Sequence, residues 1–470
     1  MRKVLPAFLA ALLAAPALLV SPAGAQERTN NEVIASAPPI LIAEPADDSV
    51  DVASAQAQAL FRELQADLPI DPESSEPTPG IAARTANATA GFSVDYNSTY
   101  PAPAAVRTVI NAVVDNWNST VATTTGPVEI EFYWQCLDPG LLGLAGPVGF
   151  YRHSGLPTSD WYPAPLANTL LGYDVNDDFE GKPLPEIQVI LNASLAAGNS
   201  CGTTGGAWYI GTSGSPSSSQ IDLYSVAPRD WPWLGLPELG QQHGRLPGLE
   251  SPYPFVFDRQ LLYNGSSLIS DSNPNARLTS DALTIGVGTG WTYDIYAPTS
   301  WAQGSSLSHF DEAASAPGTP GAIMTPALGN GQVERVVDAP TAGVMQRIGW
   351  PMKREAVGPT GLTASVSGST VAASWTIPMT SAGLPPTSHL IKLYVDGVLT
   401  TTTTVAGTAT SGSVGGFVAG KTTRSRSQPA APAAPPVAHR CHPPLPPRSP
   451  RPATRRAAPS PGPPRRRRRR

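Results

Sequence analysis

A zinc-binding pattern, HExxH, is concealed in the segment Pro228–Leu236, written as PRDWPWLGL. The segment can be encoded by CCA CGA GAT TGG CCA TGG CTT GGG C. If the reading frame starts one base later, the same bases are read as CAC GAG ATT GGC CAT GGC TTG GGC, which encodes HEIGHGLG. Because tryptophan has a single codon, Trp231 and Trp233 leave this second translation little freedom. The alternative is a coincidence within an ordinary Trp/Pro loop, and the flanking sequence disfavours it.

The chemistry of HExxH follows from its spacing. Histidines at i and i+4 share one helical face, where both imidazoles reach one Zn²⁺, and the glutamate beside the first can take a proton from metal-bound water. The written segment has no histidine there, and each proline would cost about 3 kcal/mol or more inside a helix. These prolines are Pro228, Pro232, Pro237 and Pro247. The written segment is therefore predicted to be a loop.

From Pro254 onward the chain is coherent again. The informative segments are FVFDRQLLYNGSSL (Phe255–Leu268), YAPTSWAQGSSLSHFDE (Tyr296–Glu312), AIMTPAL (Ala322–Leu328) and TAGVMQRIGW (Thr341–Trp350). With the shifted HExxH, this succession resembles secreted bacterial zinc metallopeptidases of the leishmanolysin-like, metzincin type, over roughly residues 92–352. In that family a third zinc histidine comes long after HExxH, and a methionine-containing turn follows it.

The resemblance implies roles for two written residues. His309 in SLSHFDE matches the third zinc ligand, and Met324 in AIMTP matches the Met-turn beneath the metal. Without the family, His309 would be a surface histidine of a Ser-rich loop and Met324 plain core packing. Asp311 and Glu312 either accept hydrogen bonds from His309 or are solvated loop charges. The first two histidines and the general-base glutamate have no written counterpart.

Two further segments resemble a zinc site less well. PELGQ (Pro237–Gln241) is similar to HELGH with both histidines replaced, and neither proline nor a glutamine amide is a good zinc ligand. His243 is a single histidine among Gly and Pro, which is more typical of a loop than of a ligand. We interpret both as out-of-frame sequence after the motif.

The elements before the motif have the order of the N-terminal half of a zincin. Apolar residues at helical spacing predict an amphipathic helix; they are Val106, Val109, Ile110, Val113, Val114 and Trp117. VEIEFYW (Val128–Trp134) and EIQVILNA (Glu186–Ala193) predict strands rich in β-formers. QIDLYSV (Gln220–Val226) is interpreted as an apolar strand leading into the motif.

After Trp350 the pattern changes to alternating apolar and polar residues. This pattern, the buried-type Trp375 and the Asp396-Gly397 hairpin signal resemble the first strands of a fibronectin type III β-sandwich. The sandwich breaks off at its sixth strand, where one T inserted after the codon of Thr422 changes TTRSRSQ to TYTFAVA. The tail 428–470 ends in six arginines and is interpreted as out-of-frame and disordered. A polybasic arm for acidic polymers is the alternative.

The N-terminus predicts export. Arg2 and Lys3 precede an apolar run, Val4–Val20, and a small-residue cleavage site, which together define a signal peptide over residues 1–25. Residues 26–90, rich in Ala, Pro, Ser and acids, are predicted to be a low-complexity linker or pro-segment. No later run has the roughly 18 apolar residues of a membrane span. The location is therefore secreted.

Cysteine usage and charge agree with export. Cys136 and Cys201 lie in the globular part and could pair, the alternative being two buried free thiols; Cys441 has no obvious partner. The 470 residues carry a net charge of −5, but residues 421–470 hold 14 basic side chains and no acidic one. The remainder has 17 basic against 36 acidic side chains, a net of −19. Nothing in that acidic body indicates nucleic-acid binding.

The sequence thus predicts an α+β zincin-like metallopeptidase domain over residues 91–352, followed by an all-β immunoglobulin-like (fibronectin type III) sandwich fragment over residues 357–427. The predicted function is a secreted zinc-dependent endopeptidase acting on proteins or peptides, inactive as written because the HExxH helix is disrupted. Zinc is the cofactor that the resemblance implies. The alternatives are a non-catalytic extracellular binding or adhesion protein that uses the β-sandwich, and a pseudogene product that does not fold.

Overall fold

The computed structural model describes residues 32–34, 40–43, 91–122, 128–138, 140–175, 184–229, 254–302, 305–417 and 423–429. This part is mixed α/β, with several β-sheets and few helices. The strands are β1 (Glu32–Ile34), β2 (Ile40–Ala43), β3 (Phe92–Tyr96), β4 (Val128–Gln135), β5 (Gly143–Pro147), β6 (Phe150–Arg152), β7 (Tyr162–Pro163), β8 (Ile187–Asn192), β9 (Trp208–Tyr209), β10 (Ile221–Asp222), β11 (Leu261–Tyr263), β12 (Ser266–Ser267), β13 (Leu283–Gly288), β14 (Trp291–Asp294), β15 (Thr360–Ser367), β16 (Thr370–Thr376), β17 (Ser388–Val395), β18 (Val398–Ala406), β19 (Ser411–Gly415) and β20 (Thr423–Pro429). The helices are α1 (Ala104–Thr120), α2 (Ala164–Leu171), α3 (Leu223–Val226) and α4 (Ala339–Ile348).

The largest sheet has five strands in the order β2-β5-β8-β4-β3. Strands β3, β4 and β8 run parallel, whereas β5 is antiparallel to β8 and β2 is antiparallel to β5. Helix α1 packs on this sheet through its predicted apolar face, from Val106 to Trp117, and that face is buried. The amphipathic helix and the two long strands predicted from the sequence are confirmed.

The segment Gln220–Val226 is not a strand throughout, and this prediction was wrong for its second half. Only Ile221–Asp222 is extended; α3 follows, and its turn closes when Ala227 N–H donates to the carbonyl of Leu223. Leu223, Val226 and Ala227 are buried at helical spacing, which outweighs the apparent alternation of the short apolar run. Pro228 then ends the helix, because it has no N–H to continue it.

A disulfide joins Cys136, just after β4, to Cys201, beyond β8, with 5.6 Å between the Cα atoms. The predicted pairing is therefore confirmed, and the alternative of two free thiols is wrong. Helix α4 packs on β13 within the four-stranded sheet β12-β11-β13-β14. Asp338 caps α4 by accepting from Thr341 N–H, and Trp350, just beyond the helix, lies 5.9 Å from the ring of Phe92.

The C-terminal part consists of two three-stranded sheets, in the orders β15-β16-β19 and β18-β17-β20. Side chains from both sheets share one core, including Trp375 on β16 and Ile391 on β17. Asp396 and Gly397 have φ of 48° and 85° in the turn between β17 and β18, the geometry of a type I′ hairpin. The predicted hairpin and the burial of Trp375 are confirmed.

Several predictions fall outside the described residues. They concern the signal peptide, the motif from position 230 onward with Trp231 and Trp233, the PELGQ segment, His243, and residues 430–470 of the predicted tail. The prediction that the sandwich breaks off at its sixth strand was wrong, because β20 pairs with β17 along Thr423–Pro429, and it includes the first two residues of the predicted tail. Of the predicted linker or pro-segment, the structure describes only β1 and β2, and both pair with other strands. No helix in the described ranges has the length and apolar character needed to cross a membrane.

Candidate functional site

His309 is fully buried, so the alternative of a surface histidine is wrong. Its carbonyl accepts from Tyr296 N–H at 2.8 Å, and Phe310 N–H donates to the carbonyl of Met324 at 2.8 Å. The backbone at His309 and Phe310 is thus bonded to Tyr296 on one side and to Met324 on the other. Two residues before His309, Leu307 has a φ of 65°, a value that is uncommon for a residue other than glycine.

The hydrogen bonds of His309 fix the orientation of its ring. Nδ1 lies 2.9 Å from Ser308 Oγ and 3.2 Å from the carbonyl oxygen of Ser305. A carbonyl only accepts, so Nδ1 carries the proton in the neutral ring and Nε2 carries the lone pair. In that tautomer Nε2 is the ring nitrogen able to accept a hydrogen bond or to bind a metal.

Met324 is fully buried in the 3₁₀ turn Ala322–Met324. The turn begins at Gly321, whose φ of 91° is readily adopted only by glycine. Gly321 N–H donates to Asp338 Oδ2 at 2.6 Å, which ties the turn to the start of α4. Burial raises the pKa of Asp338 to about 6, against the opposing effect of this bond.

Arg229 connects the end of α3 to the chain that follows Met324. Its guanidinium is buried and donates to the carbonyl of Thr325, to Thr325 Oγ1 at 3.2 Å and to the carbonyl of Ala327 at 2.8 Å. Together with the bond between Phe310 and Met324, this brings α3, the methionine turn and the His309 loop into one cluster. The methionine turn and the His309 loop are the segments to which the resemblance assigns the Met-turn and the third ligand, and α3 leads into the segment to which it assigns the motif helix.

The start of α3 is held by a pair that sequence reasoning missed. Arg335 donates to both carboxylate oxygens of Asp222, at 2.7 and 2.6 Å, and its guanidinium lies 4.6 Å from the ring centroid of Tyr224. Asp222 Oδ2 also accepts from Ser225 Oγ. The partners are 113 residues apart in the chain, so no local pattern indicates the contact.

The carboxylates after His309 accept hydrogen bonds from backbone N–H groups. Asp311 Oδ1 accepts from the N–H groups of Ala313 and Ala314, at 2.9 and 3.1 Å. Glu312 Oε1 accepts from Ala327 N–H at 2.9 Å. These contacts favour the interpretation of Asp311 and Glu312 as loop residues over the one in which they orient His309.

The described residues around His309 do not form a zinc site. Across the described ranges, no three His, Cys, Asp or Glu side chains are close enough to bind a metal. His309 offers one nitrogen, and the residue joined to this cluster from α3 is Arg229, whose guanidinium is a cation and no ligand. No protein-family model matches the chain, and no curated protein matches it either.

Proposed function

We propose that residues 91–352 are the scaffold of a secreted zinc-dependent endopeptidase of the metzincin type, and that the printed chain is catalytically inactive. One observation carries the proposal: Val226 at the end of α3, Met324 in its turn and Phe310 beside His309 pack in one buried core, although they are far apart in the chain. This supports the view that the helix before the motif, the methionine turn and the His309 loop surround one site.

Helix α3 supports the shifted frame. It begins at Leu223 and stops after Val226, where Pro228 prevents further helix. In the shifted frame HEIGHGLG follows directly on Ala227, without a proline, so the same helix continues through the motif. Its two histidines then have the i and i+4 spacing that a shared metal ligand pair requires.

Export and the second module have independent support. The disulfide between Cys136 and Cys201 is consistent with an oxidising, extracellular environment. We propose a fibronectin type III-like fold for the C-terminal part, because its two three-stranded sheets enclose Trp375 in a common core.

The test compares the printed chain with a version translated in the shifted frame from codon 228 until the frame returns before Pro254. The nucleotide sequence of codons 226–254 defines that version. We expect the corrected chain to bind one zinc per molecule and to hydrolyse casein until a chelator is added. The printed chain should do neither, because it keeps one ligand of three.

His309→Ala in the corrected chain is the matched control, and we expect it to lose zinc without unfolding. Tight stoichiometric zinc in the printed chain, or a folded corrected chain without zinc, would overturn the proposal.

A second candidate function is non-catalytic binding by the C-terminal module. Val398 and Leu399 at the start of β18 are 68% and 48% exposed, and neighbouring exposed apolar residues are typical of interaction surfaces. Inactivity of both the printed and the corrected chain, with retained fold, would favour this function.

A further inference from the structure

Strands β1 and β2 pair antiparallel with β6 and β5, respectively, in two ladders. The paired Cα positions are Glu32 with Arg152, Val33 with Tyr151, Ile34 with Phe150, Ile40 with Ala145, Leu41 with Leu144 and Ala43 with Gly143. The register is offset by one residue between the two ladders and shifts once more within β2, between Leu41 and Ala43. Strands β1 and β2 therefore line the successive strands β6 and β5.

The inner side of β5 is already paired with β8. At the two ends of this ladder, Asn192 N–H donates to the carbonyl of Leu142 and Val148 N–H donates to the carbonyl of Glu186, each at 3.0 Å. In an antiparallel ladder, bonded pairs alternate with non-bonded pairs. Every second residue of β5, counted from these two ends, therefore directs its backbone groups to β8.

The remaining residues of β5 direct their backbone groups outward, to β2. By the alternation, Leu144 and Gly146 bond β8, whereas Gly143 and Ala145 face β2. Ile40 is directly opposite Ala145, so these two residues form the bonded pair. Without β2 this side would be a sheet edge with unpaired N–H and C=O groups, which readily accepts another strand.

Two short ladders of three residue pairs each hold β1 and β2 on β6 and β5. In sequence, residues 44–90 connect β2 to the rest of the chain, a 47-residue connection. A covalent tether supplies an effective concentration on the order of millimolar. Cutting the connection removes this advantage and leaves the segment exchangeable with a competing strand.

We propose that the outer edge of β5 is a binding site for an extended, uncharged polypeptide segment, and that β2 occupies it in cis until the chain is cut within residues 44–90. The partner adds a strand and is recognised by its main chain. The sequence ILIA of β2 and the buried GLAGP of β5 define the uncharged character, because a charge buried there would be costly. The site uses neither His309 nor a metal, so it goes beyond the proposed peptidase function.

The first experiment is amide-resolved hydrogen exchange on the full chain. Ile40→Pro removes the donor to Ala145 and should accelerate exchange at Gly143 and Ala145 at least tenfold. Leu144 and Gly146 are internal controls, because β8 protects them. Leu41→Pro is the matched variant: it loses a side chain of the same size, but its N–H faces away from β5, so we expect a smaller effect. Equal acceleration at all four positions of β5, or none, would overturn the assignment.

The second experiment places a specific protease site within residues 44–90. After cutting and dilution, a labelled peptide that copies residues 30–45 should bind the cut chain at least tenfold faster than it binds the uncut chain. A scrambled peptide should bind neither chain. Equal binding to cut and uncut chains, or protection of Ala145 that persists after cutting and 100-fold dilution, contradicts the proposal. Neither readout involves zinc or hydrolysis, so its failure is distinguishable from failure of the peptidase proposal.

Discussion

The carboxylate of Asp258 is buried just before β11. The pKa of this carboxyl is raised to about 7. Burial is the main cause and the nearby Asp160 adds to it, whereas the hydrogen bond from Phe255 N–H opposes the shift. A carboxyl pKa that is raised in the folded state contributes stability at low pH, and this contribution is lost as the pH rises through the folded value. The relevant window therefore extends from about pH 4 to about pH 7.

Asp258→Asn tests this linkage, because an amide does not titrate. We expect the difference in the free energy of unfolding, unmodified chain minus variant, to decrease by at least about 1 kcal/mol when the pH is raised from 4 to 8. Urea unfolding at both pH values measures the difference, so that any constant effect of the amide cancels. Asp281→Asn, at an exposed position, is the control and should show no such trend. A pH-independent difference for Asp258→Asn would contradict the prediction.

At the scale of elements, local periodicity was sufficient for α1, β4 and β8, because one repeat dominates each of these segments. It failed for Gln220–Val226, where alternation and helical spacing coexist within seven residues and burial of Val226 decided for helix. The pairing of β2 with β5 could not be predicted, since a Pro-rich, low-complexity segment gives no strand signal.

The residues of the candidate site likewise divide into those that a local sequence pattern indicates and those that it does not. His309 and Met324 were found because short motifs carry them, and the structure adds their burial and mutual connection. Arg229 and the Asp222–Arg335 pair were missed, because their partners are about 100 residues away in the chain. Contacts at such separation depend on the tertiary fold and leave no local pattern.

The disulfide connects two neighbouring elements of the central sheet across 65 residues. Closing a loop of that length stabilises the folded state by roughly 4 kcal/mol in the chain-entropy model. We expect the double variant Cys136→Ser/Cys201→Ser to lose stability of that order in urea unfolding under oxidising conditions. Cys441→Ser is the matched control and should be neutral. If a reductant leaves the unmodified chain as stable as before, the prediction is wrong.

At the scale of the whole molecule, opposite charges are segregated along the chain. Residues 421–470 contribute 14 positive charges, whereas the remaining 420 residues have a net charge of −19. Attraction between such regions acts over about 10 Å at 0.1 M salt and is screened at higher ionic strength. In a chain with two oppositely charged regions, the tail of one molecule can neutralise the body of another.

The printed chain should therefore self-associate at low salt and dissociate as salt is raised. Light scattering across 0.02 to 0.5 M salt, at pH 7, measures the apparent mass. Deleting residues 430–470 removes 11 arginines and should abolish the salt dependence. A full-length chain with these arginines changed to serine tests whether the charge of the tail, and not its length, causes the association. Association that persists at high salt would instead indicate strand pairing at the edge of β20, which within the described part of the chain is paired on one side, with β17. The two causes thus respond differently to salt, which weakens the electrostatic contact and leaves the strand contact intact.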